Sequence, residues 1–154
     1  MIKLIIFDFN RTLFNVEKGS LIPRCLEMLD KLSVRYDLAI LSTQKRGRDL
    51  HIQKLFGKTK VKNTVIVDEK STENFQKIMA NFDVAPSETL IVGDYLKEEI
   101  AIGNKIGSFT VWFKNGKFSK EKPENKYEKP NFILRELNYI NLLGILNAKG
   151  LELK

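Results

Sequence analysis

Residues 5–14 read Ile5-Ile6-Phe7-Asp8-Phe9-Asn10-Arg11-Thr12-Leu13-Phe14 (IIFDFNRTLF), and this stretch decides the fold. A run of apolar residues ends in one carboxylate, and a polar, turn-like segment follows at once. Short apolar runs of this kind suit strands buried on both faces. Such a strand carries Asp8 to its tip.

Working outward, residues 2–7, 38–41, 64–67 and 89–92 are short apolar runs rich in Ile, Val and Leu, and residues 109–113 add aromatic side chains. Helical patterns fill the gaps, at residues 22–34, 46–56, 72–82 and 96–106. Their expected inward faces carry Cys25, Leu26, Leu29 and Leu32, then Leu50, Ile52 and Leu55, then Phe75, Ile78, Met79 and Phe82, then Ile100, Ile102 and Ile106. Gly57 and Gly107 stand as helix stops. Alternating strands and helices make βαβ units. The expected fold is α/β, a doubly wound, Rossmann-like, mainly parallel sheet of five or more strands with helices on both faces. In such sheets the site lies beyond the carboxyl ends of the strands, at the switch in strand order. Asp8, Ser42-Thr43, Asp68 and Gly93-Asp94 all fall at strand ends. Several polar residues converging on one edge mean more than any one turn residue would.

The chain has 154 residues, the length of one domain, and residues 1–154 are expected to form one. Cys25 is the only cysteine and His51 the only histidine, which excludes a cysteine-based zinc cluster and argues against His-paired catalysis. His51 is expected on a polar helix face. No segment approaches a membrane span and the first residues lack a leader pattern, so a cytoplasmic protein is expected. Lys and Arg number 26 against 19 Asp and Glu, a net charge of +7. That charge admits anionic partners, nucleic acid included, but the lysines are scattered and lack aromatic interleaving. A solvated basic surface is the simpler reading. Residues 114–130 read as an exposed lysine-rich loop, and residues 131–146 as a last amphipathic helix.

Taken in order, these strand ends resemble the four motifs of the haloacid dehalogenase-like (HAD) superfamily. Asp8-Phe9-Asn10-Arg11-Thr12 is similar to its first motif, Asp-x-Asp-Gly-Thr. LAILSTQ, with Ser42 near its end, resembles the second, VDEKSTENF with Lys70 the third, and LIVGDYLKEE with Asp94 and Glu99 the fourth. The resemblance implies a HAD-like fold and a phosphohydrolase using Mg²⁺ and an aspartyl-phosphate. It assigns catalysis to Asp8 as nucleophile with Asn10 and Lys70, and phosphate binding to Ser42, Thr43, Lys70 and Arg11. The metal group would be Asp8, the Asn10 backbone carbonyl, Asp94 and Glu99, the last through a metal-bound water. Lys77 is a rival to Lys70 but falls within a helix. Carboxylates at neighbouring strand tips suit an all-oxygen Mg²⁺ site, and a lysine and a hydroxyl suit the phosphate.

Two departures bear on activity. Phosphatases of the superfamily carry a second Asp where this chain has Asn10, and an amide cannot shuttle a proton. Positioned acid–base catalysis is worth ~10²–10⁴-fold, so atypical or reduced turnover is expected. Arg11 replaces the usual Gly and has two readings, a grip on substrate or a solvent-facing loop residue. Asp8 to Ser42 leaves room for one loop and one helix, so no cap domain is expected. The implied partner is a phosphorylated substrate, with an open site that admits macromolecules or closure by a neighbouring subunit. Three alternatives carry less: a non-catalytic phosphate- and metal-binding module, suggested by Asn10 and Arg11; nucleic-acid binding without catalysis, resting on charge alone; and a response-regulator phosphoacceptor, which the single Asp8 on the first strand fits poorly. Glu17 and Lys18, after the first motif, are within reach as substitute groups.

Overall fold

The computed structural model describes residues 1–148; residues 149–154, part of the expected domain, lie outside the described residues. The chain runs through β1 (Leu4–Asp8), the short hairpin strands β2 (Phe14–Asn15) and β3 (Ser20–Leu21), α1 (Cys25–Leu32), β4 (Asp37–Thr43), α2 (Arg48–Phe56), β5 (Asn63–Val67) and α3 (Thr72–Asn81). It continues through β6 (Thr89–Gly93), a π-turn (Leu96–Ile100) leading into α4 (Ala101–Ile106), β7 (Phe109–Phe113), β8 (Phe132–Leu134) and α5 (Tyr139–Leu146). The large sheet has six strands in the order β5-β4-β1-β6-β7-β8, every pair parallel.

Parallel strands need both faces covered, and period-two alternation divides the apolar residues between them. Ile5, Phe7, Leu38, Ile40, Leu90, Val92 and Val111 share one buried cluster with Cys25, Met28, Leu29, Ile52, Phe56 and Leu142 from α1, α2 and α5. Leu4, Ile6, Ala39, Leu41 and Ile91 pack on the other face against Phe75, Ile78 and Met79 of α3, with Ile102 and Ile106 of α4 alongside. The doubly wound α/β expectation holds, and no cap domain interrupts the sheet among the described residues.

Several expectations need correction. Residues 131–146 are not one helix. Phe132–Leu134 pairs with β7 as the sixth strand, and α5 starts only at Tyr139, where the Asn138 side chain accepts from the Asn141 N–H at 2.8 Å and caps it. Leu26 and Leu50, expected to face inward, are 48% and 74% exposed. Met28 takes the inward place in α1, and Arg48 is buried in α2 beside Ile52 and Phe56. The loop 114–130 is mostly exposed but tied down. Asn104 of α4 donates through Nδ2 to the Tyr127 and Lys129 carbonyls, at 2.6 and 2.8 Å.

Candidate active site

The order of strands fixes where a site can form. From β1 the chain moves outward to β4 and β5, then crosses back to β6 on the other flank of β1. The switch point therefore lies between the carboxyl ends of β1 and β6. Asp8 is the last residue of β1, and Asp94 immediately follows β6. Both are buried, 7% and 3% exposed.

Four devices hold these residues and their neighbours in place. A capping box starts α3: Ser71 Oγ accepts from the Asn74 N–H, and Asn74 Oδ1 accepts from the Ser71 N–H. This sets Lys70 just before the helix, where its ammonium donates to Asp8 Oδ1 and to Glu99 Oε1, the latter at 2.5 Å. The π-turn after β6 carries a backbone bond from the Ile100 N–H to the Tyr95 carbonyl, five residues back, and folds Glu99 under the strand end. Glu99 then lies so close to Gly93 that a Cβ there would meet the Glu99 Cβ at 2.8 Å. Trp112 of β7 donates its Nε1–H to the Asp94 carbonyl at 2.9 Å and pins that backbone. Thr12 donates to Asp8 Oδ2 at 3.2 Å.

Electrostatics set the demand on this pocket. Asp8, Asp94 and Glu99 each bring a carboxylate oxygen within 4.8 Å of the others. Three carboxylates against the single ammonium of Lys70 leave a formal charge of −2 in a buried space. Burial, reinforced by the neighbouring carboxylates, pushes the Asp94 and Glu99 carboxyls well above the usual range. For Lys70 burial works the other way, but Asp8 and Glu99 outweigh it and hold the ammonium charged beyond the ordinary lysine range. Asp94 Oδ2 and Glu99 Oε2 are buried with no hydrogen-bond partner. Orphaned oxygens, hard donors and a charge of −2 fit a divalent cation held by Asp8 and Asp94, with Glu99 beside it.

Comparisons with known proteins bear on the family and the fold. The HAD-hydrolase-like family model matches residues 70–140. A glyceraldehyde 3-phosphate phosphatase of Pyrococcus furiosus is 36% identical over 76 residues, 49% of this chain and 30% of that protein. One of Methanopyrus kandleri is 28% identical over 100 residues, 65% of this chain and 42% of that protein. The chain thus spans less than half the length of the curated relatives it matches. Among solved structures, a HAD-hydrolase of Bacillus subtilis bound to magnesium superimposes with a TM-score of 0.72 at 15% identity, covering 96% of this chain and 99% of that one. Residues 70–140 thus match the HAD-hydrolase-like family, and the chain shares the fold of solved HAD hydrolases.

Within this HAD fold the remaining expected residues fall in two places. Ser42 and Thr43 end β4, next to β1; Ser42 is buried and its hydroxyl donates to the Thr43 carbonyl at 3.2 Å. Lys77 is not in the pocket, since it is exposed and pairs with Glu73 along α3 at 3.0 Å. Glu17 and Lys18 sit at the exposed β2–β3 turn, where their N–H groups donate to Asn15 Oδ1. Arg11 adopts φ 59°, the left-handed conformation that explains the usual Gly of this motif. Its guanidinium lies 5.8 Å from the centre of the Phe118 ring, a contact that neither reading of its sequence anticipated.

Asn10 is the larger surprise. Its Oδ1 accepts from Nη1 of Arg48 at 2.6 Å, across 38 residues of sequence. Arg48 is 6% exposed and its guanidinium lies over the Phe9 ring, 5.0 Å from the centroid. His51, expected on a polar face, packs edge-on against Phe9 and Phe14. Thr12, Arg48 and Trp112 are the residues that sequence reasoning left without a site role. Thr12 lies within the first motif and is legible there. The contacts of Arg48 and Trp112 exist only in the folded chain.

Proposed function

We propose that this protein is a Mg²⁺-dependent HAD-like phosphohydrolase acting on a small phosphate ester. The observation that carries the reading is the buried group of Asp8, Asp94 and Glu99 with Lys70 donating to two of them. Both Asp8 oxygens are engaged, one by Lys70 and one by Thr12, so its carboxylate is fixed in orientation. In this reading Asp8 attacks phosphorus, the P–O bond to the leaving group breaks, and water later cleaves the aspartyl-phosphate. Lys70 neutralises Asp8 as the anionic phosphate approaches, and the Ser42 hydroxyl and Thr43 are set to hold phosphate oxygens. A bound Mg²⁺ would supply further neutralisation of charge between nucleophile and phosphate. Its holders would be Asp8, the Asn10 carbonyl and Asp94, with Glu99 on the outer side. The names of the curated relatives favour a small phosphorylated substrate over a macromolecule.

Asn10 restricts the leaving group. Without a carboxylic acid at that position, the departing oxygen must leave with little help, so aryl and acyl phosphates suit the site better than alkyl phosphates. A second reading is a non-catalytic phosphate- and metal-binding module, favoured by the amide of Asn10 being committed to Arg48. One experiment separates the two. Hydrolysis of an aryl phosphate is expected to require Mg²⁺ and to fall at least ~10³-fold in Asp8→Asn, the scale of removing a nucleophile. Mg²⁺ binding by an inactive wild type would instead support the module.

A further inference from the structure

The pocket of Asp8 is acidic, but the ground next to it is basic. A cavity of about 410 Å³ lies against the β4–α2 connection, lined by Asn10, Phe14, Lys45, Arg46, Arg48 and His51 among others. No carboxylate lines it, and among the described residues none pairs with Lys45, Arg46 or Arg48. Asp49, the nearest acid in sequence, lines a different cavity with Ile52 and Gln53. Helix α2 opens onto the same ground. Its cap is Gly47 at φ 74°, which offers no side-chain acceptor to the first N–H groups.

Arg48 adds a second, independent observation. It is nine-tenths buried, held over the Phe9 ring, and joined to a neutral amide rather than to an acid. Its Nε is also buried and has no partner. A buried guanidinium whose short-range partner is uncharged keeps its positive charge available to whatever enters beside it. An Asp at position 10 would cancel that charge. The amide that removes the proton shuttle therefore preserves a cation at the mouth of the site.

We propose that the cavity between Asn10 and the start of α2 is a second anion-binding subsite, and that the substrate is a phosphate ester whose leaving group carries a further anionic group, a carboxylate or a second phosphate. This rests on the reading of the Asp8 pocket as the site of phosphoryl transfer. Arg48, Lys45 and Arg46 receive the second anion, while the ester phosphate lies against Asp8. Asn10 joins the two subsites, since it follows Asp8 by two residues and holds Arg48 through its side chain.

Two measurements test this, both readable whether or not the protein turns over an aryl phosphate. In the first, the ¹⁵N-labelled protein is titrated with inorganic phosphate, without Mg²⁺ and at physiological ionic strength, where surface attraction is screened. Saturable amide shifts are expected at residues 46–50, retained in Asp8→Asn and weakened at least tenfold in the double variant Lys45→Ala/Arg46→Ala. Both lysine and arginine are exposed, so that variant folds. Shifts confined to residues near Ser42 and Lys70, or equal in the double variant, would overturn the subsite. In the second, Asp8→Asn with Mg²⁺ binds 3-phosphoglycerate and glycerol 3-phosphate, which differ by a carboxylate. A preference of about tenfold for the carboxylate-bearing ligand, abolished by the double substitution, is expected. Equal affinity for the two would sink the proposal, with phosphate shifts at residues 46–50 then marking an adventitious ion only. Failure of the Asp8 reading alone would appear as absent aryl phosphate hydrolysis with both of these results intact.

Discussion

At position 10 the difference between an amide and a carboxylate is decided by Arg48. A carboxylate placed where Asn10 Oδ1 now accepts from Nη1 at 2.6 Å would form a partly buried ion pair. Such a partner lowers a carboxyl pKa, and a general acid that stays ionised cannot protonate a leaving group. Asn10→Asp alone is therefore expected to raise hydrolysis of an alkyl phosphate by less than about tenfold. Combining it with Arg48→Met, which removes the cation, should move the gain into the ~10²–10⁴-fold range of positioned acid catalysis. Steady-state rates for the two single variants and the double variant check this, and equal rates in single and double would refute it. The sequence gives no hint of the pair, because residues 46–56 read as a helix with Leu50, Ile52 and Leu55 inward, which leaves Arg48 out of its core face. The buried state of Arg48 comes from Phe9 and Asn10, both some forty residues away in sequence. Asp8, by contrast, was legible at once: a strand buried on both faces gains nothing from a lone acid at its tip unless that tip meets a charge or a ligand.

The elements that build the site differ in how openly they announce themselves. The sheet's first five strands all appeared as apolar runs, and the first four ended on or beside the polar residue that the fold carries to the same edge. The capping box of Ser71 and Asn74 is a local signal, and it places Lys70 through a two-residue device. β8 was missed because Phe132, Ile133 and Leu134 flow into the apolar residues of α5 with no glycine or proline between. Between them the only polar residues are Arg135-Glu136, which suit an amphipathic helix, and Asn138, which caps α5. The β2–β3 hairpin, two residues on each side, is too short for period-two alternation to register. The tightest joint is between β6 and the π-turn. In Gly93→Ala the new methyl would meet the Cβ of Glu99 at 2.8 Å and its Cγ at 2.9 Å, with no flexible end to yield. A loss of about 1–3 kcal/mol is expected from overpacking of this kind. Mg²⁺ affinity should fall with it, since Glu99 is the side chain displaced. Denaturant unfolding and Mg²⁺ titration of the same variant measure the two effects, and unchanged stability would show that β6 can shift to accommodate the methyl.

For the molecule as a whole, the buried carboxylates couple stability to pH and to metal. Asp94 and Glu99 have folded-state pKa values above their ordinary ones, so they hold protons that the unfolded chain has released. A raised carboxyl contributes stability below its unfolded pKa and loses it as pH climbs through the folded one. Without metal, the protein is expected to be less stable near pH 9 than near pH 6 on this account. A divalent cation needs both groups ionised, so its affinity should rise over the same interval and its binding should release protons. The Tm increment on adding Mg²⁺ should thus be larger at the higher pH, and Asp94→Asn should flatten that difference. An increment independent of pH would mean that the carboxylates are already ionised in the metal-free protein. The described residues contain no helix long and apolar enough to cross a membrane.

The interrupted strand order has a consequence for folding kinetics. Asp8 is made early, yet Asp94 and Glu99 come from the far side of the reversal, after β4 and β5 have been laid down on the opposite flank of β1. The three carboxylates cannot meet until β6 has docked along β1, which closes a loop of some eighty residues and carries a late entropic cost. A metal that recognises only the finished edge stabilises the native state more than the barrier leading to it. Mg²⁺ should then slow unfolding while leaving the refolding limb of the chevron nearly unmoved.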